Sequence, residues 1–315
     1  MNRSKSRLNQ MRVVQAFITL PMIVALFSGR ANGQLPAAAA PLKAIAINGT
    51  TLHYVERGSG TPIVFVHGSL GDYRTFQPQF DALSSNFRVV AYSRRFHPPN
   101  DVPAGVPSYA LQVHVDDLAE LVKVLGLGPC HFVGASYGAY VALAFSLQHP
   151  DLVRSLVLGE PPVFPLLQNS SVGRGLLEAF RRNAIEPARE AFRAGELETG
   201  LRRFIDGVMG EGTFDRMPPE ARKRVMIFGP EMRLEMLTDS SIAMTPLACE
   251  ALAKLSRPVL LISGDRSVPM FHVVTRELEQ CLEGETHVML PDADHGLHGR
   301  NPAFYLESVK VFLAR

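Results

Sequence analysis

The sequence predicts an α/β chain built on a doubly wound, mostly parallel sheet with an inserted α-helical cap. Two patterns predict it: short apolar runs alternate with stretches of helical periodicity, and one long interruption lacks any strand-like run. Composition sets the frame. With 46% apolar and 20% charged side chains in 315 residues, the chain can bury a sizeable core, which excludes disordered, collagen-like and disulfide-stapled classes.

Taken in order, the runs at 44–47 and 52–55 flank Asn48-Gly49, a tight-turn pair, so a hairpin opens the domain. The later runs at 63–66, 88–91, 131–133, 155–158, 259–262 and 286–290 are mostly apolar, as parallel strands covered on both faces must be. Helical periodicity falls between them at 73–83, at 109–125 with Ser108 placed to cap it, and at 137–148, 271–282 and 302–313. Right-handed crossovers then lay the helices on both faces. Residues 161–257 break the rhythm. Their apolar positions recur at helical spacing, as in Leu201, Phe204, Ile205 and Val208, amid mixed charges, so several short amphipathic helices form the cap. The core is accordingly 44–160 and 258–315.

The amino terminus reads as a targeting segment. Arg3, Lys5, Arg7 and Arg12 precede an apolar run at 13–27, and small residues follow at 31–33. That run is shorter than the roughly 20 residues a spanning helix needs. The expectation is a signal peptide over 1–33, a tether over 34–43 and a periplasmic or secreted product, with an uncleaved anchor as the lesser reading. The net charge of +2 misleads, because the first 33 residues hold five basic residues and no acidic one. The remainder carries 27 basic against 30 acidic residues, so no nucleic-acid partner is expected, nor stable membrane association after cleavage. Cys130, Cys249 and Cys281 stand at wide spacing and read as free or structural thiols, with one bridge at most.

The chemistry gathers at strand ends. Gly134-Ala135-Ser136-Tyr137-Gly138 joins a strand-like run to a helix and fits G-x-S-x-G, a turn so sharp that its flanks must be glycine or very small and its serine projects above the sheet. A serine hydroxyl is a weak nucleophile at neutral pH and needs a base. His295 follows the last strand and precedes the last helix; His298, one turn later, is its rival. Two carboxylates stand at the strand ends that flank the insertion, Glu160 before it and Asp265 after it.

His67-Gly68 after an apolar strand, the Gly134 to Gly138 turn and Asp294-His295-Gly296, in this order and with a helical insertion, resemble the α/β-hydrolase fold superfamily over residues 44–315. The resemblance implies Ser136 as nucleophile, His295 as base, and an oxyanion hole made by the backbone N–H groups of Ser69 and Tyr137, with His67 holding its loop. The chain departs from the family where the acid usually sits. Three positions past Gly264 stands Ser267, which has no carboxylate. Some members place the acid at the end of the strand before the insertion, so Glu160 is favoured and Asp265 is the alternative. The loop at 92–100 also lacks the family's Asp-x-x-Gly-x-Gly turn; its Arg94 or Arg95 could bind a substrate carboxylate, a structural ion pair being the other reading.

The activity implied is that of a serine hydrolase (carboxylesterase or lactonase type) cleaving small carboxylic esters or lactones through an acyl-enzyme. A carbon–carbon bond hydrolase or cofactor-free perhydrolase is the alternative among enzymes, and a ligand-binding receptor on a hydrolase scaffold the alternative outside them. Epoxide-hydrolase and dehalogenase chemistry is disfavoured, because it needs a carboxylate where Ser136 stands. Neither a metal-ligand cluster nor a phosphate-binding loop is apparent in the sequence, so no cofactor and no metal are expected.

Overall fold

Asn48 and Gly49 take positive φ of 44° and 74°, the two left-handed residues that a two-residue hairpin requires. They fold β1 (Lys43–Ile47) back onto β2 (Thr50–Arg57) in antiparallel register. The structure, a computed structural model, describes residues 40–102 and 108–315. The predicted signal peptide and residues 34–39 of the tether lie outside the described residues.

After the hairpin come β3 (Pro62–Val66), β4 (Arg88–Tyr92), β5 (Cys130–Ala135), β6 (Val153–Gly159), β7 (Val259–Gly264) and β8 (Thr286–Leu290). They form one eight-stranded sheet in the order β1-β2-β4-β3-β5-β6-β7-β8, parallel from β4 onward. The chain leaves β3 toward β4 and then crosses back to β5 on the other side. The loops after β3 and β5 therefore diverge above their carboxyl ends and open a crevice there.

Both faces of the central strands are apolar, which explains their near-continuous hydrophobic runs. Val64, Phe132, Leu156 and Leu261 face α2 (Leu111–Val124) and α3 (Tyr137–Gln148), while Phe65, Val133, Val157 and Leu260 face α1 (Gln77–Leu83). The expected start of α1 at 73 moves to Gln77. Pro78 has no N–H to give and is tolerated only in a first turn. The start of α2 moves from 109 to Leu111, and Ser108 does not cap it, because Tyr109 turns inward to a buried hydrogen-bond network.

Between β6 and β7 the regular structure is helical throughout, with no strand in residues 161–257. In order these helices are α4 (Ser171–Phe180), α5 (Glu186–Arg193), α6 (Leu197–Met209), α7 (Thr213–Arg216), α8 (Pro219–Met226), α9 (Gly229–Leu237), α10 (Ser240–Ala243) and α11 (Cys249–Leu252). They enclose a small apolar centre of their own, built from Phe192, Leu201, Ile205, Phe214, Met232 and Met236. Past β7 run α12 (Pro269–Cys281), α13 (Leu297–Arg300) and α14 (Pro302–Leu313).

The favoured reading of three free or structural thiols gives way to the single bridge that the sequence allowed. Cys249 on α11 is bonded to Cys281 at the end of α12, and only Cys130 is free, buried in the core. Wide spacing hid the pair because the packing of α11 on α12 is what joins them. The bridge closes a separation of 32 residues and ties the last inserted helix to the core. Replacing both cysteines by serine should therefore lower stability by about 3–4 kcal/mol through loop entropy. Urea denaturation of this variant beside the oxidised wild type measures the loss.

Candidate active site

The turn after β5 is built by what its glycines exclude. A Cβ on Gly138 would stand 2.0 Å from the Val66 carbonyl oxygen, and one on Gly134 would meet the Ala139 Cα at 2.6 Å. With both flanks bare, the turn presses onto the end of β3. Ser136 is left at φ 50° and ψ −126°, a conformation that costs a side-chain-bearing residue free energy and persists only where its surroundings dictate it. Its N–H donates to Gly159 O at 2.8 Å, and its carbonyl accepts from Tyr140 N at 3.1 Å. Ser136 thus heads α3, where the helix N-terminus favours negative charge.

Three of the residues singled out in the sequence meet here. His295 Nε2 lies 2.9 Å from Ser136 Oγ, and His295 Nδ1 lies 2.6 Å from Glu160 Oε2. Glu160 extends β6, held by its own N–H on Ile262 O, and its Oε1 accepts from the Gly264 N–H at 2.9 Å. Both of its oxygens therefore act as acceptors. The Nδ1–H of His295 donates to the carboxylate, which leaves the Nε2 lone pair facing the serine. Phe271 of α12 stacks on the imidazole with centroids 3.9 Å apart and planes 12° apart, fixing the ring's tilt.

The rivals stand elsewhere. Asp265 is exposed and accepts from Ala293 N at 3.1 Å, fastening the loop that carries His295 without touching its ring. His298 packs on Phe76, and burial, with a smaller contribution from His295, pushes its pKa down to about 4.

Gly68 passes so close beneath the turn that a Cβ there would be 2.9 Å from Ala135 O and 3.0 Å from Ser136 Cβ. The following residue, Ser69, is thereby set beside the serine. Among the described residues neither the Ser69 nor the Tyr137 amide donates to a protein acceptor, so both remain open to a ligand. His67 donates from Nδ1 to Gly68 O at 2.8 Å and accepts the Arg94 N–H at Nε2, and burial holds its pKa well below the usual imidazole range.

Both arginines proposed for a substrate carboxylate have partners within the protein, as the ion-pair reading expects. Arg95 grips Asp117 with two hydrogen bonds of 2.8 and 2.6 Å and also binds Asn48 O. Arg94 is buried whole: it donates to His67 O and the Tyr109 hydroxyl and lies over the Tyr137 ring at 4.9 Å. Its charge is offset by two buried carboxyls on α9, Glu231 and Glu235. Sequence reasoning missed that pair. Its only trace was two glutamates one turn apart in a stretch otherwise rich in Met and Leu.

A second serine–histidine–carboxylate set lies across β7, β8 and α12. Ser263 Oγ is 2.7 Å from His287 Nε2, and His287 Nδ1 is 2.6 Å from Glu279 Oε1. Ser263 lies within β7, one residue short of its end, and is fully buried, at a backbone position of ordinary strand rather than at the head of a helix.

A family model described as the alpha/beta hydrolase family matches residues 63–307. An uncharacterized hydrolase of Bacillus subtilis, YraK, is 29% identical over 141 residues, 44% of this chain and 52% of the relative. The chain thus matches about half the length of that relative. A 2-(acetamidomethylene)succinate hydrolase of Mesorhizobium japonicum is 26% identical over 274 residues, 85% of this chain and 94% of the relative. Among solved structures, a thermophilic esterase from Thermogutta terrifontis superposes with a TM-score of 0.66 at 24% identity, covering 87% of this chain and 98% of that one. The eight-stranded sheet, the turn at Ser136 and the match over most of the chain agree: this protein belongs to the alpha/beta hydrolase family.

Proposed function

We propose that the protein is a serine hydrolase that cleaves small carboxylic esters or lactones through an acyl-enzyme. The observation that carries this is the strained Ser136 at the head of α3, with its Oγ 2.9 Å from a histidine nitrogen whose lone pair is free to accept. The Ser136 oxygen attacks the substrate carbonyl carbon as His295 Nε2 takes its proton. Negative charge grows on the carbonyl oxygen, where the Ser69 and Tyr137 amides receive it; one such donor typically contributes about 100- to 1,000-fold in rate. His295 then returns the proton to the leaving alkoxide. Water, deprotonated by the same nitrogen, releases the acid and regenerates the serine. In a lactone the alcohol stays tethered to the acyl group, and the chemistry is unchanged. Glu160 acts on the base, fixing its tautomer and stabilising the imidazolium. With Arg94 charge-balanced by α9, the reading favours substrates whose acyl part is uncharged. A screen of p-nitrophenyl esters of graded chain length, lactones and vinylogous diketones tests it, with Ser136→Ala protein as the blank. Turnover of diketones alone would move the assignment to carbon–carbon cleavage.

We further propose export to the periplasm or beyond. The basic-then-apolar amino terminus supports it, and so does the Cys249–Cys281 bridge, since structural disulfides persist in oxidising compartments. The exported protein should begin near Gln34 on N-terminal sequencing. Full-length protein in the membrane fraction would instead mean an anchor.

A further inference from the structure

Between the inserted helices and the sheet lies a buried set of titratable groups that the chemistry above does not use. Glu231 and Glu235 stand one turn apart on α9. Glu235 Oε1 accepts the Ser69 hydroxyl at 2.9 Å, and Glu231 Oε1 accepts the Tyr109 hydroxyl at 2.7 Å. The Oε2 atom of each is buried without a partner from the rest of the protein. Facing the pair are Arg94 and His97 from the loop after β4, Ser69 from the loop after β3, Tyr109 ahead of α2 and Tyr137 on α3; His67, just past β3, and His114 on α2 lie on the far side, close to Arg94 and His97.

Counting protons shows what the pair must carry. His97 donates from Nδ1 to Gly71 O at 2.9 Å, so its neutral ring presents a lone pair at Nε2. That nitrogen lies 2.9 Å from the Tyr109 hydroxyl and 3.1 Å from Glu231 Oε1. Tyr109 has one proton to give. It cannot satisfy an imidazole lone pair and a carboxylate together, while the Oε2 atoms of Glu231 and of Glu235, one turn on, are orphaned as well. Electrostatics agrees in direction. Burial raises both carboxyls above their usual range, Glu231 raises Glu235 further, and Arg94 opposes this in both. Burial, aided by Arg94, holds His97 low, so the extra proton belongs on the carboxyls.

We propose that Glu231 and Glu235 share one proton and so act as a positioning device for the oxyanion hole, pinning α9 to Ser69. This rests on the hydrolase reading of the Ser69 amide. The direction with pH follows. For a carboxyl raised by folding, the stability it confers is complete below the ordinary carboxylate range and lost as pH rises through the raised value. Loss of the shared proton leaves two negative charges one turn apart, and α9 then loosens its hold on Ser69. Because that amide serves the transition state, kcat falls more than KM rises.

The experiment follows kcat and KM on an uncharged ester from about pH 5 to about pH 10 in wild type, Glu235→Gln and Glu235→Ala. Wild-type kcat should fall on the alkaline side. Glu235→Gln accepts from Ser69 but has no proton to lose, so its alkaline limb should vanish; Glu235→Ala should lose about 10- to 100-fold in kcat at every pH with KM little changed. A wild-type kcat that stays level on the alkaline side, or the same alkaline limb in Glu235→Gln, overturns the proposal. If no ester is turned over, the hydrolase reading fails by itself, and melting of Ser136→Ala protein still reads the pair. Its Tm should drop with rising pH, and drop less once Glu235→Gln is added; equal slopes overturn the proposal. Should Glu235→Gln not fold, Glu231→Gln removes the same proton and is judged by the same two readouts.

Discussion

Ser136→Ala should lower kcat on an ester by on the order of 10⁶ while leaving the melting temperature close to that of the wild type. The hydroxyl's one hydrogen bond is to His295, and the side chain sits at a partly exposed turn, so its removal opens no cavity in the core. Burst kinetics with a p-nitrophenyl ester checks both halves of the mechanism: the wild type should release one equivalent of nitrophenol before steady state, and the variant none. Residual activity above a hundredth of wild type would remove Ser136 from the nucleophile's role.

Glu160→Gln should cost about 10³- to 10⁴-fold in kcat, and Asp265→Asn far less. The reason is the count of acceptors. Glu160 uses Oε1 for the Gly264 N–H and Oε2 for the His295 Nδ1–H, whereas glutamine has a single acceptor oxygen. If that oxygen serves Gly264, the amide NH₂ meets His295 and forces the proton to Nε2, where the ring can no longer take one from Ser136. If it serves His295, two N–H groups confront each other at Gly264 in a buried space. Asp265→Asn keeps the oxygen that accepts from Ala293 and disturbs no tautomer. The reverse ranking of the two variants would assign the acid to Asp265.

The positions of Ser136, His295 and Glu160 were legible because each is tied to a strand end. The glycines at 134 and 138 betray a turn whose flanks have no room, and the serine where the usual acid would stand, Ser267, directs attention to Glu160. Strands of the parallel core were legible for the same kind of reason: buried on both faces, they read as unbroken apolar runs. What escaped depends on packing between segments distant in sequence. Nothing near Cys249 tells that α11 will lie on α12. Arg95 declares its partner only once α2 brings Asp117 alongside. Glu231 and Glu235 look like the solvated face of an amphipathic helix, and only the enclosure of α9 between the other inserted helices and the loop at Ser69 makes them a buried pair. Helix starts erred by a few residues where proline or an inward-turned tyrosine set the boundary.

Ser263, His287 and Glu279 match the separations at Ser136 to within a few tenths of an ångström, yet the Ser263 hydroxyl is fully buried while its histidine and glutamate reach the surface. The molecule thus carries its own decoy. Among the described residues interatomic distance alone does not separate the two sets, whereas a fluorophosphonate should label one serine, with a stoichiometry of one per chain that Ser136→Ala takes to zero and Ser263→Ala leaves untouched. The two distances record how a histidine is satisfied between a hydroxyl and a carboxylate; reactivity should enter only with the turn that pushes the hydroxyl out of the sheet and the amides left idle beside it.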